Sequence, residues 1–507
     1  MQKEASCLRM LVLTLTNQEG TPLMDDQVTA GALVCAIPKV IVDGWLLKRF
    51  MELRRQLTET TTVLKPGMRP EDADQFEHCV EMIVREQARS FVEWCFNSLE
   101  PSKVDAMPKD VEYLGKKYRR LNLKTRHARV LTRFGNIMLF RATWRQGSRG
   151  RTIAPLEKIL GIEFGATPGA QDLVGRQIAA AGSSQSRCIE VIAERTGARI
   201  GPEKLRNLSS YLAEIMEPQR EACQVKQLEE WIDDAVKRSK NVTLAVSRDG
   251  VSLGIAPFGN FEMASVATLS VYCDGQRLGT IYLACAPEDN QETLSRNFTS
   301  LLTSIIRSRG SKLSRIVYVS DAGKIETAYW KNVLRHLHVD GQRIRIQRIV
   351  DYYHASLRLT TIADALLLTT SQRTEWLKRV RKLLLEPGGW GRVMRSIAGM
   401  QKQHGINPDK EEDVQMAKRY LHRYRRFMNY SEYRSHGSPI GSGIVESACK
   451  QIVTERLKLS GMRWSHAGAQ QILTLRSILL SQTWHATFKK SLIASPAVSI
   501  LSLEQAS

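Results

Sequence analysis

The sequence predicts a mixed α/β protein: an α/β core split by a helical insertion and preceded by a small helical unit of helix-turn-helix outline. Three observations carry this. Between Asn241 and Asp351 the apolar pattern runs strand, strand, strand, helix, strand, helix, strand. From 356 to 437 the strand pattern stops and the chain turns helical and basic. Ahead of the core, Pro168 to Glu214 breaks at glycines into three short helical segments.

Composition narrows the class. The 507 residues are 43% hydrophobic and 25% charged, an ordinary globular balance with room for several domains. Lys and Arg number 73 against 52 Asp and Glu, a formal charge of +21, which calls for a polyanionic partner and above all nucleic acid. Nine cysteines include no C-x-x-C pair, which argues against a zinc ribbon and for reduced thiols in a cytoplasm. The apolar stretch Val28 to Leu47 is interrupted by Pro38, Lys39 and Asp43, so no membrane span is expected. Leu11 to Leu15 lacks the cleavage site of a secretory leader.

Taken in order, residues 1–110 form an N-terminal region, largely helical and without an assignable task. Its clearest element is a helix from Pro70 to Leu99 with Phe76, Val80, Ile83, Ala88 and Val92 on one face. Residues 111–160 read as a basic β-element and linker, with Lys116 to Arg120, Lys124, Arg126, Arg129 and Arg133 beside the strand Asn136 to Phe140. A solvated strand face and a phosphate track are equally compatible with that run. Residues 165–216 form the helix-turn-helix-like unit, whose third helix, Glu203 to Leu212, would present Lys204, Arg206 and Asn207 to DNA. Residues 240–355 carry the first part of the core, in which Asp274-Gly275 joins two alternating strands as a tight hairpin. The order of its elements is that of an RNase H-like fold, where the first and fourth strands are neighbours, so Asp249 and Asp321 would meet. Residues 356–437 are the helical insertion. There Arg419, Tyr420, Arg423, Tyr424, Arg425, Arg426 and Phe427 interleave cations with rings, suited to phosphates and to unpaired bases. Residues 438–485 return to the core through a glutamate-bearing helix, and 486–507 read as a C-terminal tail.

Asp249 and Asp321 each close an apolar strand, and Glu446 opens a basic helix in Gly441-Ser442-Gly443-Ile444-Val445-Glu446. Carboxylates gathered at one point suit phosphoryl transfer, which needs divalent metal more than covalent help, and Mg²⁺ prefers carboxylate oxygen. Singly, each residue has a plainer reading: a turn, a helix cap, a favourable charge at a helix start. Jointly, their placement on strand one, strand four and the later helix makes Asp249, Asp321 and Glu446 the candidate catalytic residues and Mg²⁺ ligands. Glycines flanking Ser442 suggest a flexible entry. Lys450, four residues beyond Glu446, shares its face, either ion-paired to it or holding a phosphate. Arg456, Lys458, Arg463 and Trp464 extend the basic surface. Asp351 and His354 form an accessory pair after a further strand, an orienting pair or a helix cap with a packed histidine.

These segments resemble the DDE transposases of bacterial insertion sequences, the ISKra-type group of the Mutator-like superfamily. The resemblance rests on Arg248-Asp249-Gly250, Val319-Ser320-Asp321-Ala322-Gly323, Val350-Asp351-Tyr352-Tyr353-His354-Ala355, and Gly441 to Glu446 with Arg456 to Trp464. It spans about residues 110 to 485. It implies an RNase H-like fold, the triad Asp249, Asp321 and Glu446, dependence on Mg²⁺ with Mn²⁺ as a substitute, and the accessory pair Asp351 and His354. It also implies cutting and joining of double-stranded DNA at the element's terminal inverted repeats and into target DNA, by a homodimer or larger assembly in the bacterial cytoplasm at the nucleoid. Two departures stand out. Ala322-Gly323 reverses the usual Gly-Ala, and the cysteine pairs that relatives carry between Phe140 and Pro155 are missing, so no structural zinc is expected. A DNA-binding repressor that does not cut, and an RNase H-like nuclease that does not transpose, are the alternatives.

Overall fold

A computed structural model describes residues 33–501 other than 181, 183 and 257–259, and only the backbone of 122–128 and 260. The Leu11–Leu15 run and the start of the Val28–Leu47 stretch lie outside the described residues. The chain is mixed α/β. Helices α1 (Lys39–Thr60) and α2 (Pro70–Ser98) pair through Trp45, stacked on Trp94 at 5.2 Å. The apolar face expected of α2 is its half-buried one.

Strands β1 (Asp110–Tyr113), β2 (Lys116–Thr132), β3 (Gly135–Arg145) and β4 (Thr152–Ile153) form an antiparallel sheet. Only Trp144 and Arg145 of β3 pair with β4, so most of that edge would stand bare. Helix α2 and the turn after it cover it: Glu93 and Asn97 of the helix and Glu100 just beyond its end accept the N–H groups of Met138, Phe140 and Ala142 at 3.0, 2.7 and 2.8 Å. Glu93 and Asn97, four residues apart, share one helix face, and the three acceptors together blunt an edge otherwise open to pairing. Part of the basic run is spent on the fold. Arg120 donates to the Val104 and Met107 carbonyls, and Arg133 pairs with Asp172 at 2.8 Å.

After the short α3 (Pro155–Ile159) come α4 (Pro168–Ala179) and α5 (Gln185–Thr196), capped by Thr167 and Ser184, with Gly197 left-handed at the end of α5. The third helix corrects the expectation of a short element: α6 spans Pro202–Arg238. Its buried stripe, Leu205, Leu208, Leu212 and Met216, continues through Cys223, Leu228 and Ile232, and Pro218 is carried inside the helix. One end packs on α4 and α5, and the other on the core sheet, so the boundary at 216 falls within a continuous helix.

The core sheet has the order β11-β8-β5-β6-β7. Strands β5 (Val242–Ile255), β6 (Asn260–Cys273) and β7 (Gln276–Cys285) are antiparallel, turning at Asp274 (φ 48°) and Gly275 (φ 80°) as the Asp-Gly signal predicts. Strand β8 (Arg315–Ser320) runs parallel to β5, and β11 (Ile346–Val350) parallel to β8. The first and fourth core strands are therefore neighbours. Helices α7 (Glu292–Arg309) and α8 (Lys324–Asn332) cover one face with the second half of α6. Strands β9 (His338–Val339) and β10 (Gln342–Arg343) form a small hairpin between α8 and β11.

The insertion comprises α9 (Tyr352–Ala365), α10 (Thr370–Leu384), α11 (Gly389–His404), α12 (Glu411–Tyr424) and α13 (Tyr430–Ser435), packed on Val317, Val319 and Ile349 of the sheet. The chain returns through α14 (Gly443–Ala448), a π-turn at Cys449–Thr454, α15 (Glu455–Leu457) and α16 (His466–Leu480). Part of the stretch expected as a tail, 486–501, is folded onto the rest of the chain. Helix α17 (Trp484–Ile493) buries Trp484 and Phe488 beside α4–α6, and β12 (Ser499–Ile500) adds a strand against β1. Two buried arginines tie the returning helices to α4: Arg456 Nε donates to the Ile178 carbonyl at 3.0 Å, and Arg476 to the Ala179, Gln451 and Ile452 carbonyls. Among the described residues no helix is long and apolar enough to cross a membrane.

Candidate functional site

Three aspartates gather where the adjacent parallel strands β5, β8 and β11 stop pairing, toward the carboxyl ends of β8 and β11, where open α/β sheets place their sites. Strand β5 pairs with β8 as far as Ser247, and Asp249 lies two residues on, where β5 runs past β8 while still paired to β6 at Val266. Asp249 thus sits within a strand that continues to Ile255 rather than closing one. Asp321 follows the last residue of β8, and Asp351 follows the last residue of β11, capping α9.

Asp249 accepts the Gly250 N–H at 2.7 Å, and the Cys449 thiol lies 3.7 Å from its other oxygen. Burial holds its carboxyl above the usual range, and the charges of Asp321 and Glu446 push it further. Burial likewise raises Cys449, with Asp249 adding to it, so the group remains a neutral thiol able to donate. In metal-free protein a raised carboxyl means that the folded state binds more protons than the unfolded one. Stability is then greatest below the ordinary carboxylate range and falls as pH rises through the raised value. Thermal melts in chelator from pH 4 to 7 should show that fall, and Asp249→Asn should flatten it; an identical slope in the variant would contradict the assignment.

Asp321 accepts the Gly323 N–H at 2.8 Å, and Tyr420 donates to its carbonyl at 2.9 Å. Next to it, Ala322 sits at φ 66°, the left-handed slot that glycine fills most readily, and Tyr424 donates to its carbonyl at 3.2 Å. The reversed Ala-Gly order has a physical basis. A Cβ on residue 323 would lie 2.5 Å from Glu326 Oε2 and 3.2 Å from Asp321 Oδ1. Glycine is therefore held here by space, not by φ. Ala322→Gly should stabilise by up to about 1 kcal/mol. Gly323→Ala should cost about 1–3 kcal/mol by overpacking. The double swap to the usual order should remain destabilised in chemical denaturation, and a double swap as stable as the native chain would refute the crowding.

Glu326 itself was not foreseen. It is buried on α8, its carboxyl raised first by burial and then by the charge of Asp321, with Asp249 contributing. The signal was available only as an acid five residues past Asp321, which reads equally well as a helix-start charge.

Glu446 lies in the first turn of α14 and is joined to Asp351 through Ser442. The Ser442 hydroxyl is 2.6 Å from Asp351 Oδ2 and 2.8 Å from Glu446 Oε1, and the Ser442 N–H also donates to Asp351. Asp351 further accepts the His354 N–H at 2.8 Å. Ser442 is buried, so the expected flexible entry is instead a pinned one. One hydroxyl has one proton to give. The second oxygen facing it calls for a proton or a cation, and His354 Nε2 stands 3.4 Å from the same Glu446 oxygen.

Several expected contacts take other forms. Lys450 is exposed and, among the described residues, forms no ion pair with Glu446, because the π-turn opening at Cys449 alters the helical spacing and aims Cys449 at Asp249. Lys204 is half-buried and donates to the Gly165 carbonyl at 2.6 Å, its pKa lowered by burial, so it faces the fold and not a partner. Arg456 is buried under Trp464, whose indole donates to the Leu457 carbonyl at 3.0 Å; both hold the chain together. Tyr420 and Tyr424 are committed to the Asp321 loop, and Phe427 packs on buried Arg348, so these rings are not free for stacking on bases. Arg206, Arg425, Arg426, Lys458 and Arg463 are exposed, and Asn207 is half-buried.

Among the described residues no three of His, Cys, Asp and Glu form a ready cage for a metal ion. The donor set nevertheless fits one. Asp249, Asp321, Glu326 and Glu446 supply hard oxygens, and among the described residues the His354 imidazole, 3.4 Å from Glu446, is the one basic side chain within 4.0 Å of any of them. Repulsion between Asp249, Asp321 and Glu446 is what a divalent cation would relieve. No protein-family model and no curated protein matches the chain.

Proposed function

We propose that the chain is a DNA transposase with an RNase H-like core, cutting double-stranded DNA at the terminal inverted repeats of an insertion sequence and joining the 3′ ends to target DNA. The observation that carries this reading is Asp321 at the end of β8, with Asp249 on the neighbouring parallel strand β5 two residues past where the two strands pair, and Asp249 electrostatically coupled to Glu446 from a distant helix. The sequence motifs around the same three residues support it.

Asp249, Asp321 and Glu446 would hold Mg²⁺, with Mn²⁺ as a substitute. Bound there, divalent cations would activate the attacking oxygen and stabilise the leaving one. The chain's own residues orient that centre. Gly250 N–H and the Cys449 thiol fix the Asp249 carboxylate, Gly323 N–H fixes Asp321, and Ser442 with Asp351 fixes Glu446. His354 Nε2 stands 3.4 Å from Glu446. The α4–α5 pair and the start of α6 serve as the helix-turn-helix unit, with Arg206 as its exposed cation, and Arg425, Arg426, Lys458 and Arg463 are left for phosphates. Bringing two DNA ends together implies a homodimer or higher assembly.

The test is cleavage of DNA bearing the flanking inverted repeats, in Mg²⁺ and in chelator, against DNA with scrambled ends. Metal-dependent cuts at the element ends followed by strand joining are expected. Tight repeat binding without cleavage would replace the reading with a repressor, and cleavage indifferent to the repeats would replace it with a nuclease.

A further inference from the structure

Beside Asp321 and His354 opens a cavity of about 790 Å³ between α8, α9 and α12. Five cations line it: Lys324 and Lys331 from α8, Arg358 from α9, and Arg419 and Arg423 from α12. All five are exposed, and Asp321 is the one carboxylate in the lining. Among the described residues none of the five has an acidic partner within 4.0 Å, whereas Arg309 and Lys312 elsewhere share Asp233 at 2.9 and 2.8 Å. Unpaired cations repel one another, so convergence of five without compensation marks a place built for a polyanion. The arginine heads are also held in place. Arg358 sits 5.0 Å over the Tyr420 ring and Arg423 5.5 Å over Tyr424, whose hydroxyls are spent on the Asp321 loop.

We propose that this cavity binds the phosphates of an unpaired DNA strand leading away from the carboxylates. Its volume suits a nucleotide or two, whereas a duplex would have to lie across its mouth. Because the rings beneath are committed to the protein, the strand is held by its backbone and not by stacked bases, so binding is indifferent to sequence. This assignment rests on the reading of the carboxylates as a strand-cutting centre, and extends it to the form of substrate that centre receives.

The test uses the full chain in chelator, with a fluorescein-labelled mixed-sequence single strand of twelve nucleotides and the matching duplex. Anisotropy is read across a salt series for the native protein and Arg358→Gln/Arg419→Gln/Arg423→Gln, three exposed positions, with melting curves to check the fold. The triple variant should bind the single strand at least about tenfold more weakly, with a salt slope lower by about 2, while duplex affinity stays within about twofold. Unchanged single-strand affinity, or an equal loss for duplex, overturns the proposal. Native protein that cleaves with Mg²⁺ while the variant binds single strand unchanged removes the cavity assignment and leaves the cutting centre standing. Loss of single-strand binding in the variant of a protein that never cleaves keeps the cavity and removes the centre.

Discussion

Asp249→Ala is expected to lower Mg²⁺-dependent strand cleavage by about 10³-fold or more while leaving the fold at least as stable. The two halves of that outcome have one cause. Asp249 is a partly buried carboxylate near Asp321 and Glu446, and that burial together with those charges raises its pKa. Such a group costs the metal-free protein stability, and on the proposed reading it would be retained for the metal it holds. Removing it relieves the repulsion and removes a ligand in the same stroke. Single-turnover cleavage together with melts in chelator separates this from a structural role. A variant that is inactive and also melts lower would show Asp249 to be a fold residue, and one that cleaves normally would remove it from the centre. Asp321→Ala should lose activity similarly, but it also gives up the bond to Gly323 N–H and should gain less in stability.

Asp351→Ala should act in the opposite direction on stability. Asp351 is fully buried and receives the His354 N–H, the Ser442 N–H and the Ser442 hydroxyl. Truncation strands those donors away from water, at a cost of about 3 kcal/mol or more. Ser442→Ala keeps the backbone donor and loses only the hydroxyl that links Asp351 to Glu446, so it should cost about 1–2 kcal/mol. Denaturant unfolding of both variants measures the difference. Cleavage should fall in Ser442→Ala by more than its small stability loss explains, because Glu446 loses its tether; full activity there would show that Glu446 is positioned by other means.

The elements of the core were legible because each depends on local signals: alternation, the Asp274-Gly275 turn and the lengths of the runs. That β5 lies beside β8 is not local, and it was expected only because the order of the elements is that of an RNase H-like fold. What escaped depends on the third dimension. Cys449 reaches Asp249 because a π-turn adds to the helical spacing, and apolar periodicity carries no trace of that insertion. Glu326 reaches Asp321 because residue 323 lacks a side chain. Arg456 and Lys204 were read as surface charge, since a sequence does not say which main-chain carbonyls lack a donor; Ile178 and Gly165 needed one. The third helix was read only as far as Leu212, whereas α6 carries Pro218 inside it because its apolar stripe continues on both sides of the missing N–H. Tyr420 and Tyr424 looked like a binding surface from spacing alone, and the loop they support shows them as props.

The two buried arginines that join α4 to the returning helices give the molecule a fixed gauge. Arg456 and Arg476 fasten the end of α4 to the segment that carries Glu446, with main-chain carbonyls as the anchor points. Main-chain anchors do not swing as side chains do, so α4–α6 and the Glu446 segment cannot slide past each other, and on the proposed reading these would be the reader and the cutter. The distance from a recognised sequence to the bond that breaks would then be set by the protein as a constant count of base pairs, as the spacing between jaw and blade is set in a machined tool.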